Sequence, residues 1–200
     1  MAKKKAATPE VILIPPVNKQ IMKLTVRGTS PLIMHKWSEK AKKQMRDKHA
    51  GKAAAHKGRK KRDPKKEFEE ATYRLGKGYG FPAVAFKNAA VTAISGLAGV
   101  TKVLARQAFH IAGEGSEQLV RLNTKAPIMR EDMVRVGMGA ADLRYRPEFV
   151  EWEATLEIRL NMDIFSPEQI VNIFQHAGFG VGIGEWRPEK NGAYGTFECV

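Results

Sequence analysis

From residue 149 to 162 the chain alternates: Trp152, Ala154, Leu156, Ile158 and Leu160 are apolar, while Glu151, Glu153, Thr155, Glu157 and Arg159 between them are polar or charged. A period of two sustained this long describes an extended strand with one face buried and the other in water. Such a strand needs partners at its edges and a second layer over its apolar face.

The rest of the sequence offers both. Residues 20–28 set Met22, Leu24 and Val26 against Lys23, Thr25 and Arg27, a half-buried strand, and Thr29-Ser30-Pro31 turns the chain before Leu32, Ile33 and Met34 extend it or start another. Residues 85–97 put Phe86, Ala89, Ala90, Ala93, Ile94 and Leu97 on one face of a helix. Ser166-Pro167-Glu168-Gln169 is a capping box with proline at the first helical position, opening a helix over 167–177 with Ile170, Val171, Ile173 and Phe174 inward and Gly178 as its stop. Residues 196–200 read as a terminal strand, and 109–112, 119–122 and 133–136 as short strands between. If one of these pairs with the long strand, the order is β-α-β-β-α-β. The expected fold is α+β and ferredoxin-like (RRM-like), an antiparallel split β-α-β sheet with two helices on one face.

Charge interrupts this plan in one place. Residues 36–66 hold fourteen Lys or Arg against three acids, Glu39, Asp47 and Asp63, which supplies +11 of the net +13. Lys3, Lys4 and Lys5 add three more, leaving the body near −1. A block of like charge resists burial and gains most by neutralising a polyanion, so it reads as a long basic insertion, disordered or thumb-like, on a near-neutral domain. Fully extended and returning on itself, it projects roughly 50 Å. Within it, residues 38–48 are good helix formers with a polar surface all round, and 51–62 are low-complexity Lys, Ala, Gly and His. Asp63-Pro64 then starts a helix that runs to Leu75, where the glycines of 76–80 break it.

Residues 1–18 read as a flexible basic tail and 19–200 as a single domain. One cysteine, Cys199, leaves no disulfide framework, and five scattered histidines make no zinc cluster. The first apolar run, Val11 to Ile14, ends at Pro15-Pro16, short of a signal or spanning segment. The expectation is a cytoplasmic protein with no membrane contact, no cofactor and no metal.

Near the end, Gly178, Gly180, Gly182 and Gly184 alternate with Phe179, Val181 and Ile183, and the run continues through Trp186 and Arg187 to Tyr194 and Gly195. This is neither a dinucleotide fingerprint nor a P-loop. Glycine at every second position admits close approach of another backbone, a phosphodiester chain or a crossing strand. A ferredoxin-like chain whose second helix runs into a glycine-rich loop before its last strand resembles the RAMP superfamily, the RNA-binding subunits of CRISPR effector complexes, and especially their Cas7-like backbone subunits. The segment from Phe81-Pro82 to Phe86-Lys87-Asn88-Ala89-Ala90 is similar to the family pattern I-P-x-S-S-L-K-G-x-x-R, with Val84, Ala85 and Asn88 where the family has its serines and glycine, and with Val91 and Thr92 where its terminal arginine would follow. The large insert after the first strand is similar to the thumb or finger loops of such subunits. The resemblance fits a CRISPR subunit or a stand-alone or phage-borne relative.

The function expected is non-enzymatic binding of single-stranded nucleic acid, RNA favoured over DNA, by a homo-oligomer or ribonucleoprotein subunit. Phosphate contacts are assigned to Lys42, Lys43, Arg46, Lys57, Arg59, Lys60, Lys61 and Arg62 of the insert and to Lys87 near a helix N-terminus. Gly180, Gly182 and Gly184 would give close approach, and Trp186, Arg187 and Tyr194 stacking or phosphate grip. The alternatives are a RAMP-like endoribonuclease, for which Asp47 and His35 are the catalytic candidates, and a basic structural protein of a ribosome or virion.

Overall fold

The computed structural model describes residues 13–51, 62–95, 97, 99–136 and 140–200. In chain order the elements are β1 (Lys19–Gly28), β2 (Leu32–Ile33), α1 (Glu39–His49), α2 (Pro64–Glu70), β3 (Arg74–Leu75), β4 (Gly78–Pro82), α3 (Ala83–Ile94) and α4 (Lys102–Ala108). Then follow β5 (Phe109–Ile111), β6 (Leu119–Thr124), β7 (Ile128–Val136), β8 (Ala140–Phe149), β9 (Trp152–Asn161), α5 (Pro167–Gly180) and β10 (Phe197–Cys199).

The class is α+β. The main sheet runs β10-β1-β9-β6-β4-β3, with β5 also paired to β9, and its ladders are antiparallel. The long alternating strand is its spine, since β9 pairs with β1 from Lys19↔Asn161 to Arg27↔Glu153. Leu24 and Val26 of β1 and Trp152 to Leu160 of β9 point their apolar side chains into one core, where Phe86, Ala90 and Ile94 of α3 and Ile170, Phe174 and Ala177 of α5 meet them. The alternation in the sequence thus predicted correctly which face is covered.

Both expected caps are made. Ser166 Oγ accepts from Gln169 N–H at 3.3 Å while Gln169 Oε1 accepts from Ser166 N–H at 2.9 Å. Asp63 Oδ1 accepts from Lys66 N–H at 3.2 Å and Pro64 opens α2.

Other boundaries differ from expectation. α2 ends at Glu70 rather than running to Leu75, because Arg74 and Leu75 turn into a hairpin with β4. α5 passes through Gly178 to Gly180. Gly178 is buried where a Cβ would collide with the Phe197 carbonyl, so it serves the close approach of β10 instead of stopping the helix. The long strand begins at Trp152, separated from β8 by a turn at Val150 and Glu151.

A second sheet, β2-β8-β7, was not expected. β7 and β8 form a long hairpin registered from Ile128↔Glu148 to Val136↔Ala140, and β2 pairs with the base of β8. Of the basic insertion, residues 36–51 and 62–66 are described, with α1 and the start of α2 in them, while 52–61, most of the low-complexity stretch 51–62, lie outside the described residues. Arg62, at its end, is held by Glu67 and Asp142, each at 2.6 Å.

Candidate functional site

The glycine-rich segment closes on its own chain. Gly182, Gly184 and Gly195 have left-handed φ values of 69°, 79° and 66°. A Cβ on Gly184 would lie 2.6 Å from the Ile33 carbonyl, and one on Gly195 would strike the Ile183 carbonyl. Glu185 N–H donates to Ile33 O at 3.0 Å and Gly195 N–H to Pro31 O at 2.8 Å. The backbone that comes close is the chain's own: the crossing strand β2 at Gly184, and the loop itself at Gly182, beside Pro188 and the Gly195 carbonyl, and at Gly195, beside the Ile183 carbonyl. Gly180 differs: it ends α5, is exposed, and a Cβ there would meet nothing.

This folded loop forms one wall of a cleft of about 570 Å³. One side of α3 (Val84, Ala85, Asn88, Thr92) and Lys102 and Arg106 of α4 form the other walls, with His35 and Tyr73 also lining it. Its two carboxylates already have cationic partners. Glu189 pairs with Arg187 at 2.6 Å, and Glu185 lies 3.7 Å from both His35 and Arg146. His35 and then Arg146 hold the Glu185 carboxyl below the usual range despite its burial. Lys102 and Arg106 are exposed and make no ion pair among the described residues, so α4 gives the cleft its surplus of positive charge.

Beside the cleft, Trp186 takes φ 56°, rare for a bulky residue, and remains 40% exposed. Its ring meets Tyr194 edge-on at 6.4 Å. The Arg130 guanidinium lies 5.7 Å from the Trp186 ring and 5.0 Å from the Tyr194 ring. Asp132 and Glu148 each pair with Arg130 at 2.9 Å. The buried Asp132 also faces the buried Arg146 at 3.5 Å, and among the described residues Arg146 Nε has no hydrogen-bond partner. One face of the β7–β8 hairpin is thus a charged network that fixes the aromatic pair.

The residues singled out in the sequence are divided by this geometry. Trp186, Tyr194, Arg187 and His35 come together around the loop. Arg187 donates to Gly184 O at 2.9 Å as well as to Glu189, which commits it to the loop. Lys87 leaves the N-terminus of α3 and donates to Arg106 O at 2.9 Å, with His110 Nδ1 3.2 Å away. Burial lowers the pKa of Lys87; burial, then Lys87 and Arg159, lowers that of His110.

In α1, Lys42 pairs with Glu39 at 2.7 Å and Arg46 with the same carboxylate at 3.8 Å, while Lys43 is exposed with no ion pair among the described residues. Arg62 also donates to Leu143 O, so its guanidinium braces α2 against the hairpin. Asp47 lies on α1. Lys57, Arg59, Lys60 and Lys61 fall outside the described residues. Among the described residues no three His, Cys, Asp or Glu side chains are grouped to hold a metal ion.

Sequence reasoning missed Lys102 and Arg106, four apart on α4. Their signal was Thr101, whose hydroxyl accepts from Leu104 N–H at 3.2 Å, an N-cap ahead of good helix formers.

No protein-family model matches the chain, and no curated protein matches it. Among the described residues no helix is long and apolar enough to cross a membrane.

Proposed function

We propose that the protein binds single-stranded nucleic acid, RNA in preference to DNA, on a RAMP-like, ferredoxin-like core, with several copies side by side along a strand. The strand order β10-β1-β9-β6, with α3 and α5 against one face, supports that core.

The observation that carries the reading is where the basic insertion is rooted. Lys36 N–H donates to Ala71 O at 2.9 Å, so the insert, continued by α2, leaves and returns at one point. The flanking residues His35 and Tyr73 both line the cleft. Nearly all the chain's excess charge is therefore attached beside a slot whose own surplus cations are Lys102 and Arg106. A strand entering the slot would have its phosphates met from two sides, and Trp186 would offer a partly exposed aromatic face beside them. Contacts of this kind hold the backbone without reading sequence.

The sheet face away from the helices is a poorer surface. Lys23, Thr25 and Arg27 of β1 and Glu153, Thr155, Glu157 and Arg159 of β9 place mixed charge there and no aromatic ring, and Arg27 is paired with Glu153 at 3.2 Å.

Fluorescence anisotropy with a labelled single-stranded RNA tests the assignment. Reversing both charges of the cleft, Lys102→Glu with Arg106→Glu, should weaken binding about 10- to 100-fold while thermal unfolding is unchanged. Wild-type affinity in the folded double variant would remove the cleft from the interface.

A further inference from the structure

We propose that residues 10–14 of one copy add as a strand to the free edge of β1 in a second copy. The proposal rests on the side-by-side assembly proposed above, and supplies its contact.

The donor is conspicuous. Leu13 and Ile14 are 89% and 86% exposed, and they end the apolar run that starts at Val11. β-branched and aliphatic residues of this kind favour extended pairing. Pro15-Pro16 then disfavours the tight turn that would lay this run on its own β1. Each proline fixes its own φ and drives the residue before it into extended conformations, so the pair is a short stiff spacer rather than a turn. Past it, Asn18 is already tied to the body: its carbonyl accepts from Met162 N–H at 2.8 Å and its N–H donates to Asp163 at 3.2 Å.

The acceptor is equally specific. β10 covers only Val26–Gly28 of the outer side of β1, apart from Val200 N–H donating to Thr25 O at 3.0 Å. The even-numbered Asn18 bonds toward β9 and the odd-numbered Thr25 bonds outward, so the alternation of an antiparallel ladder turns the N–H and C=O groups of Lys19, Ile21 and Lys23 outward. No strand among the described residues pairs with them. Ile21 is 61% exposed between those two lysines.

Antiparallel addition with Ile14 opposite Lys19 puts Ile12 opposite Ile21 and Glu10 opposite Lys23. The exposed apolar side chain then gains an apolar neighbour on its own face and the lysine gains a carboxylate. On the other face Val11 falls opposite the half-buried Met22. Main-chain bonds supply affinity and the side-chain pairs fix the register, the logic of strand addition at a sheet edge.

The test uses the full chain without nucleic acid, so it can fail while the binding assignment stands. Sedimentation should give the mass of two or more copies, and Ile12→Asp should return the monomer with an unchanged circular dichroism spectrum. Glu10→Lys and Lys23→Glu should each weaken association about fivefold, and the two together should restore most of it. A monomeric wild type, or an Ile12→Asp variant of unchanged mass, would overturn the proposal. Failure of the double reversal to restore association would overturn the register.

Discussion

Gly195 and Gly180 carry the same side chain for different reasons. Gly195 sits at φ 66° with its missing Cβ aimed at the Ile183 carbonyl, whereas Gly180 ends a helix beside open space. Gly195→Ala should therefore cost more than about 2 kcal/mol, through left-handed strain and a backbone collision that no rotamer relieves. Gly180→Ala should change stability by less than about 1 kcal/mol, and in the stabilising direction, because alanine is the better helix former. Denaturant midpoints compare the two. Equal costs would mean that the loop does not depend on its own backbone packing. Trp186 belongs with Gly195, since its left-handed conformation is held by the same fold-back: its carbonyl accepts from Tyr194 N–H at 3.1 Å.

At the scale of elements, the β7–β8 hairpin and the glycine loop are joined through buried charge. Asp132 is the shared anion for Arg130 and Arg146, so Asp132→Ala would leave two guanidinium groups short of a partner in the interior. The expected loss is about 3–5 kcal/mol in chemical denaturation, with a loss under about 1 kcal/mol contradicting the account. Asp142→Ala, which breaks the more exposed contact to Arg62, should cost no more than about 1 kcal/mol.

The hairpin also shows what the sequence could not reveal. β9, α3 and α5 were legible because each buries an apolar stripe of regular period and α5 announces its start with a capping box. β8 was not, because its inward residues include Arg144, Arg146 and Glu148, which read as solvent-facing until Asp132, Arg130 and Glu185 are placed around them. The cleft was half legible. Trp186, Arg187 and Tyr194 stood out beside their glycines, whereas Lys102 and Arg106 acquire meaning only when α4 is set across from the loop. The reach of Lys87 to the Arg106 carbonyl was not legible, because it depends on α4 being packed against α3.

At the scale of the whole molecule, a near-neutral body carries the apolar core while residues 36–66 carry +11 of the net +13, the charge on which the proposed binding rests. The insertion, continued by α2, returns to its starting point through Lys36 and Ala71, so the core does not need it to close. The measurement closest to the central claim is the salt dependence of binding to a single-stranded RNA. With six to ten phosphates neutralised, affinity should fall by about 10³ to 10⁵ between roughly 50 and 200 mM salt. An affinity that stays flat across that range would contradict a nucleic-acid function for the insertion.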